Sequence, residues 1–298
     1  MTAILGMNCT DGVLLLADTE ETTSIGTKSE ADKLYRFFFP AGILAAGGAD
    51  RIYRLIVPAG IVAAGGASGT VVMGGAGDSH FIECANQELQ EFLQKGFKQG
   101  ENIKAKLNDF ARMFFRATVG EYRGFAAEII GYLEPQMLIA ISSAGQTWLF
   151  RWQRDRVKLV PKLGHTSIGC GMIQMHPMLR ELQFSFSCEA MLFHGIRIML
   201  QTKKTVQGVG GRTEAIALLN DGATQFFPPR VTRLVEELVE DIAEYNIHIV
   251  NRLVCEAMSN AEWGETALGK LPDDIRRFRD RYMKISKQST GRTSGDQQ

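Results

Sequence analysis

The sequence has no excess of charge of either sign, and it has no long hydrophobic run. Its 33 basic and 33 acidic residues cancel, whereas a dedicated nucleic-acid surface normally appears as a basic excess. The most apolar stretch, residues 40–76, is interrupted by Asp50, Arg51 and Arg54. No window therefore reaches the roughly 18–20 uninterrupted apolar residues of a membrane-spanning helix. We expect a protein that binds no nucleic acid and does not cross a membrane.

Cysteine and histidine are scarce and scattered. The five cysteines contain no CxxC pair and do not cluster in sequence with the five histidines, which excludes a disulfide framework and the usual zinc spacings. The opening residues lack the basic start and the apolar stretch of a signal peptide. We therefore expect a cytoplasmic protein with no targeting segment and no metal site. The cysteines are Cys9, Cys84, Cys170, Cys188 and Cys255.

What the sequence does contain is a series of strand and helix patterns. Residues 3–18 predict two short strands around a turn at Thr10, Asp11 and Gly12. Apolar residues at helical spacing predict amphipathic helices over HFIECANQELQEFL, which starts after Ser79, and over 102–122. Further strands are predicted at 126–133, 136–142, 147–152, 157–162, 210–219 and 224–229. One or two helices are predicted over about 176–202, and one long helix over 230–258.

The order of these elements indicates the fold class. Strands grouped in hairpins and helices grouped in pairs are typical of antiparallel sheets covered by helical layers, and not of a wound βαβ sheet. This order argues against dinucleotide loops at GGASG (65–69) and GGAGD (74–78), neither of which completes G-x-G-x-x-G in register. The sequence therefore predicts an α+β protein.

A tandem repeat follows the first strands. The segment DKLYRFFFPAGILAAGGA (32–49) is followed directly by DRIYRLIVPAGIVAAGGA (50–67), an 18-residue period. Two copies are too few for a solenoid. A local duplication of one strand-turn segment explains the repeat, and a functional insertion at the mouth of a site is the alternative.

The first two residues offer a candidate nucleophile. Removal of Met1 would leave Thr2 with a free α-amine and a hydroxyl on the same residue. The hydroxyl can then attack while the amine accepts its proton. An α-amine has an ordinary pKa of about 7.7–8.0, so a modest downward shift makes it a base at neutral pH.

Several segments together resemble a known family. The opening TAILGMNCTDGVLLLAD, the segment DKLYRF, the GGAGD element before a helix, the hairpin QMLIAISSAGQTWLF and the turn SIGCG occur in the order of the proteasome β-subunit and HslV branch of the N-terminal-nucleophile hydrolases. The resemblance covers about residues 2–220. It implies a four-layer αββα sandwich over 1–229, followed at 230–298 by a helical C-terminal extension and a polar tail.

The resemblance also implies site residues. Thr2 would be the nucleophile, Lys33 would bring positive charge to it, and Asp18 would hold Lys33. Gly74 would supply the oxyanion N–H, with Gly47 of the first repeat copy as the alternative. Cys170 stands where the family often has a serine beside the nucleophile.

Each of these residues also has a structural interpretation. Lys33 beside Asp32 could form a solvated surface pair, Asp18 could simply end a strand, and Cys170 could be a buried structural cysteine. We expect the nearby histidines, His165 and His176, on the surface or in loops.

The function that follows is a threonine-type hydrolase that cleaves peptide or amide bonds and needs no cofactor. The resemblance implies a peptide or protein substrate, a homo-oligomeric ring and an ATPase unfoldase as a candidate partner. Two alternatives stay open. Apolar Val206 and Val209 replace the family's supporting polar residues, which favours a non-catalytic ring or scaffold subunit, and a small-amide amidase of the same superfamily is the third candidate.

Overall fold

The computed structural model describes residues 2–22, 28–30, 33–39, 69–77, 79–94, 102–121, 136–143, 145–182 and 184–251, with the single positions 276 and 280. The chain divides into two compact units, Met1–Phe226 and Phe227–Gln298, and the boundary after residue 229 stays a prediction. The repeat from residue 40 onward, the strand at 126–133 and the polar tail lie outside the described residues, apart from positions 276 and 280.

The described residues form twelve strands and five helices. The strands are β1 (Ala3–Asn8), β2 (Gly12–Asp18), β3 (Glu20–Thr22), β4 (Lys28–Glu30), β5 (Leu34–Phe39), β6 (Gly69–Ala76), β7 (Gln136–Ser143), β8 (Gln146–Gln153), β9 (Arg156–Leu159), β10 (His165–Gly169), β11 (Thr213–Leu219) and β12 (Thr224–Phe227). The helices are α1 (Ser79–Gln94), α2 (Ile103–Glu121), α3 (Met172–Glu181), α4 (Cys188–Thr205) and α5 (Pro229–Asn251).

Two five-stranded sheets organise the first unit. The first has the strand order β10-β1-β2-β11-β12, the second has the order β5-β6-β7-β8-β9, and β3 pairs with β4 in a separate hairpin. All the strand pairs with a recorded register are antiparallel. The hairpin predicted over 3–18 is confirmed, because β1 and β2 pair from Ile4 opposite Ala17 to Asn8 opposite Val13. The prediction of a mixed fold with antiparallel sheets is confirmed at this level.

Each sheet has two buried faces. The inner faces of the two sheets pack on each other through aliphatic side chains that include Ile4, Leu15, Val72 and Leu138. This explains why β1 and β2 are buried along their whole length and read as apolar runs rather than as an alternation. The first strand of the molecule is therefore covered on both faces, and Thr2, the candidate nucleophile, directly precedes it.

Helices cover the outer faces. The second sheet packs against α1 and α2, and each helix buries one apolar face, as the helical spacing of apolar residues predicts. The buried residues include Phe81, Ile82, Ala85, Leu89 and Leu93 on α1, and Leu107, Phe110, Ala111 and Phe114 on α2. The first sheet packs against α3 and α4. On α4, Gly195 lies so close to β2 that an added Cβ would come within 2.7 Å of Leu16.

The region predicted as one or two helices over about 176–202 forms two helices, α3 and α4, separated by residues 182–187. Two hydrogen bonds explain the break, one local and one distant in sequence. Ser187 caps α4 by accepting a hydrogen bond from the Ala190 N–H, and the Phe186 carbonyl accepts the N–H of Thr10 in the β1–β2 turn. The intervening backbone therefore bonds to the hairpin rather than to a helix.

Helix α5 belongs to the second unit. It begins at Pro229. Proline suits the first turn because the N–H groups there have no acceptor within the helix, so the absence of an N–H costs no hydrogen bond. The predicted continuation over 252–258 lies outside the described residues. Among the helices described here, none combines the length and the apolar character needed to cross a bilayer.

Candidate active site

The peptide bond between Thr2 and Ala3 is held on both sides. The Ala3 N–H donates to Asp18 Oδ1 at 2.8 Å, and the Thr2 carbonyl accepts the N–H of Cys170 at 2.9 Å. Thr2 itself is half-buried. Since the two hydrogen bonds come from β2 and from the end of β10, the position of residue 2 is determined by both neighbours of β1.

Asp18 and Lys33 form a buried ion pair beside this peptide. Lys33 Nζ lies 3.1 Å from Asp18 Oδ1, and the two side chains are 8% and 0% exposed. The same carboxylate oxygen therefore binds the Lys33 ammonium and the Ala3 N–H. This brings the ammonium within two hydrogen-bond lengths of the Thr2–Ala3 peptide. Lys33 is not a solvated surface residue, and the interpretation as a surface pair is wrong.

Both members of the ion pair also form hydrogen bonds to backbone groups, and the backbone of Lys33 bonds to a further carboxylate. Asp18 Oδ2 accepts the Gly210 N–H at 3.2 Å, and Lys33 Nζ donates to the Glu20 carbonyl at 2.5 Å. The Lys33 N–H donates to Glu214 Oε2 at 3.1 Å. Such additional hydrogen bonds are what make a buried ion pair tolerable, because both charges have left water. These partners were not predicted, since a backbone N–H or carbonyl has no sequence signature and Glu214 lies far along the chain.

A tight turn after β10 carries the other half of the site. Gly169 has a φ of +85°, which favours glycine, and an added Cβ would lie 2.0 Å from the Thr2 carbonyl oxygen. Its N–H donates to Gln136 Oε1 at 3.3 Å, at the start of β7. The glycine therefore lets the turn pass directly over residue 2 and links it to the second sheet.

Gly74 lies in β6, opposite Leu34 in β5 and Leu138 in β7. Leu34 directly follows Lys33, so the glycine is close to the ion pair along the sheet. An added Cβ would lie 2.9 Å from Leu34 and 3.1 Å from Ile4. The packing of these two side chains, rather than the approach of a substrate, explains why glycine fits here. The alternative, Gly47, lies outside the described residues.

Cys170 is exposed, so the interpretation as a buried structural cysteine is wrong. Its thiol lies 3.3 Å from the Thr2 carbonyl oxygen, to which it can donate only weakly. The two histidines do not lie in loops, since His165 lies in β10 and His176 in α3, both half-buried. His165 stands opposite Met7 of β1, and His176 follows the buried Met175.

A basic region adjoins the turn. Arg151 Nη2 contacts Met172 Sδ at 3.1 Å, and Met172 is the first residue of α3. Burial lowers the pKa of Arg151. Burial, followed by the nearby charges of Arg151 and Arg180, lowers the pKa of His176. The His176 imidazole therefore stays neutral to lower pH than a free histidine, and the positive charge beside the turn comes from the arginines.

No protein-family model and no curated protein matches the sequence, but solved structures match the fold. Anbu (ancestral beta-subunit) from Yersinia bercovieri matches with a TM-score of 0.57 at 12% identity, over 84% of this chain and 97% of that chain. The fold resembles that of Anbu. A mutant Anbu from Hyphomicrobium sp. strain MC1 gives a TM-score of 0.58 at 12% identity, covering 83% and 97%. A helical assembly of the Anbu complex from Pseudomonas aeruginosa gives 0.54 at 14% identity, covering 82% and 96%.

The assignment to the proteasome β-subunit and HslV branch is wrong. These structural neighbours are Anbu proteins, a distinct proteasome-like family related to the N-terminal-nucleophile hydrolases. The segments that suggested the branch are an opening hairpin, a lysine segment and glycine turns. The glycine turns follow from backbone geometry, and a hairpin and a lysine are common in proteins, so these segments do not separate one proteasome-like family from another. At 12–14% identity, the likeness to Anbu concerns the fold alone.

Proposed function

We propose that this protein is a threonine-type N-terminal-nucleophile hydrolase that cleaves peptide or amide bonds, with Thr2 as the nucleophile after removal of Met1. The observation that carries the proposal is a pair of hydrogen bonds to the Thr2–Ala3 peptide. Asp18 accepts its N–H, and the Cys170 N–H donates to its carbonyl oxygen. A nucleophile needs such a fixed geometry, because orientation supplies a large part of the rate.

The proposed reaction proceeds by acyl transfer. The Thr2 hydroxyl oxygen bonds to the substrate carbonyl carbon while its proton passes to the Thr2 α-amine. The Lys33 ammonium, held by Asp18, stabilises the negative charge that develops on the hydroxyl oxygen. The amine then protonates the leaving amine as the scissile bond breaks, and water hydrolyses the resulting ester to regenerate Thr2.

The proposed oxyanion donor is the backbone N–H of Gly74. Its place in β6 opposite Leu34, the residue after Lys33, supports this role. One preorganised donor of this kind contributes about 10²–10³ in rate. Cys170 is proposed as a positioning residue, since both its N–H and its thiol lie against the Thr2 carbonyl.

The proposal extends to the architecture. We propose that the two sheets and their helices form the four-layer αββα sandwich typical of N-terminal-nucleophile hydrolases. The apolar core between the sheets, the packing of α1 and α2 on one outer face and the packing of α3 and α4 on the other support it. The likeness to Anbu at the level of the fold supports it further.

Intact mass and covalent labelling test the proposal. We expect the purified protein to lack Met1 and to react once, at Thr2, with a peptide epoxyketone, which bonds to both the hydroxyl and the α-amine of an N-terminal threonine. Thr2→Ala should abolish labelling and peptide hydrolysis and leave the thermal unfolding midpoint unchanged. Thr10→Ala, at an exposed threonine of the β1–β2 turn, is the matched control and should keep full activity. Unchanged turnover in Thr2→Ala would refute the mechanism.

The non-catalytic subunit is the second candidate. Val209 is buried at 4% exposure, so an apolar side chain stands where the resemblance expects a polar residue near the threonine. Retained Met1 would block the α-amine and favour this candidate. A labelled Thr2 that hydrolyses small amides and no peptides would favour the amidase.

We also propose that the chain self-associates. The helical assembly of the Anbu complex from Pseudomonas aeruginosa supports an oligomer. Light scattering and electron microscopy of the full chain would distinguish a closed ring, an open helical assembly and a monomer. An ATPase unfoldase as a partner, a peptide or protein substrate and a cytoplasmic location stay predictions.

A further inference from the structure

A cluster of metal-ligating atoms lies at the other end of β1. Cys9 and Asp11 belong to the turn that joins β1 to β2, and Cys188 is the first residue of α4. The two thiol sulfurs and one carboxylate oxygen of Asp11 all lie within 4.8 Å of one another. The cluster is separate from the candidate active site, because Thr2 precedes β1 and Cys9 follows it.

The donor set fits zinc. A tetrahedral shell with Zn–S bonds of about 2.3 Å and a Zn–O bond of about 2.0–2.2 Å separates its ligand atoms by about 3.6–3.8 Å. Because the three ligand atoms lie at most 4.8 Å apart, they need to approach one another by about 1.2 Å or less to bind the ion. Two sulfurs and one oxygen leave the fourth position for water.

Hydrogen bonds hold the three residues in place. The Cys188 N–H donates to Asp11 Oδ1 at 2.8 Å, which orients the carboxylate. The Thr10 N–H donates to the Phe186 carbonyl at 2.9 Å, and the Asn220 N–H donates to the Asp11 carbonyl at 2.9 Å. The turn is therefore anchored on both sides, and the ligands need little rearrangement to bind an ion.

Burial and charge also fit. Cys188 is buried, Cys9 is half-buried and Asp11 is exposed, so an ion and a water molecule can enter from the Asp11 side. Two thiolates, one carboxylate and Zn²⁺ sum to a single negative charge. The N-terminus of α4 favours a negative charge, because its backbone N–H groups carry the positive end of the helix dipole.

We propose that Cys9, Asp11 and Cys188 form a zinc site that ties the β1–β2 turn to the start of α4, with water as the fourth ligand. Each thiol loses its proton to solvent when its sulfur bonds to the metal. Neither residue spacing nor a short motif indicates this site, because 179 positions separate the cysteines.

Metal titration of the reduced, metal-free full chain tests the site. We expect one equivalent of Cd²⁺ to produce the ultraviolet charge-transfer band of two thiolate ligands, and one equivalent of Zn²⁺ to compete with a chelating indicator. Cys9→Ser should lower the Zn²⁺ affinity by more than about 100-fold, beyond the 10–100-fold loss typical of outer-shell changes. Asp11→Asn should lower it less, and Cys84→Ser, on α1, is the matched control and should not change it.

Alkylation of the wild-type chain keeps the test independent of variants that fail to fold. Zn²⁺ should protect Cys9, the half-buried thiol of the site, from iodoacetamide and leave the labelling of the half-buried Cys84 unchanged. Three results would overturn the proposal: no thiolate charge-transfer band, an undiminished affinity in Cys9→Ser, or a Cys9–Cys188 disulfide that persists in excess glutathione and leaves no thiols for the metal.

Discussion

The two ends of strand β2 carry an aspartate each, and the two carboxylates differ in almost every physical respect. Asp18, at its end, is fully buried and accepts hydrogen bonds from Ala3, Gly210 and the Lys33 ammonium. Asp11, just before its start, is exposed and accepts the N–H of Cys188. A buried charge requires a counter-ion and hydrogen bonds, whereas water stabilises an exposed one.

The difference supports two kinds of proposed site at the two ends of one strand pair. At the Asp18 end, the protein supplies both charges, and the resulting ion pair holds the Thr2–Ala3 peptide rigidly. At the Asp11 end, the donors face solvent, and a cation from solution is the partner that we propose. Burial, rather than residue type, therefore decides whether an aspartate becomes part of a fixed site or of an open one.

The largest expected effect comes from removing the buried charge. Asp18→Asn leaves the Lys33 ammonium buried without its counter-ion, so the free energy of unfolding should fall by about 3–5 kcal/mol. Asp11→Asn makes the same chemical change in solvent and should cost about 0.3–1 kcal/mol through the helix N-terminus. Urea unfolding of both metal-free variants measures the contrast. Equal losses would show that burial does not make the Asp18 carboxylate more important to stability than the Asp11 carboxylate.

We expect a change of intermediate size in the free energy of unfolding from a substitution in the turn that passes over Thr2. Gly169→Ala should lower the free energy of unfolding by about 1–3 kcal/mol from backbone strain at positive φ, and further because the new Cβ would lie 2.0 Å from the Thr2 carbonyl oxygen. Gly145 also has a positive φ, but an added Cβ there meets nothing within 4 Å, so Gly145→Ala isolates the strain. If Gly169→Ala lowers the free energy of unfolding no more than Gly145→Ala does, the close contact with the Thr2 carbonyl oxygen makes no contribution to the loss.

The smallest expected effect concerns pH at the opposite end of β10. His165 pairs with Met7, and burial lowers its pKa, with the backbone of Phe184 and Leu182 offsetting part of the shift. The unfolded chain therefore binds a proton more readily than the folded one. The contribution to stability is fully present above the ordinary histidine pKa of about 6.5 and is lost as the pH falls below it.

Thermal unfolding between pH 8 and pH 5 checks this prediction. Below about pH 6.5, the His165→Gln variant should lose less stability with falling pH than the wild type does. Above that pH, its stability should differ from that of the wild type by a constant amount. A variant whose pH profile runs parallel to that of the wild type throughout would show that His165 does not titrate on unfolding.

Much of the fold could be predicted from the sequence because its signals are local. The turn residues Thr10, Asp11 and Gly12 predict the first hairpin, and helical periodicity predicts the buried faces of α1 and α2. The position of the break between α3 and α4 could not be predicted, because Ser185 and Phe186 bond to a hairpin more than 170 positions away.

The candidate site could be predicted in part. Thr2, Asp18 and Lys33 were found because their segments resemble a known pattern, and the structure brings Asp18 and Lys33 together at the Thr2–Ala3 peptide. Gly210 could not be found, because its contribution is a backbone N–H. The family could not be identified either, because short glycine and strand motifs are common to related folds.

The sequence by itself determined the local elements of this protein, the neutral charge and the residue types available for chemistry, because these depend on composition and on neighbours a few positions apart. Only the tertiary structure decided which of those residues meet. The hydrogen bonds of Asp18 span 15 positions to Ala3 and 192 to Gly210, and such contacts arise because β1 and β11 pair with β2 in one sheet. The tertiary packing buries one aspartate and leaves the other exposed, and that difference in solvation separates the two carboxylates.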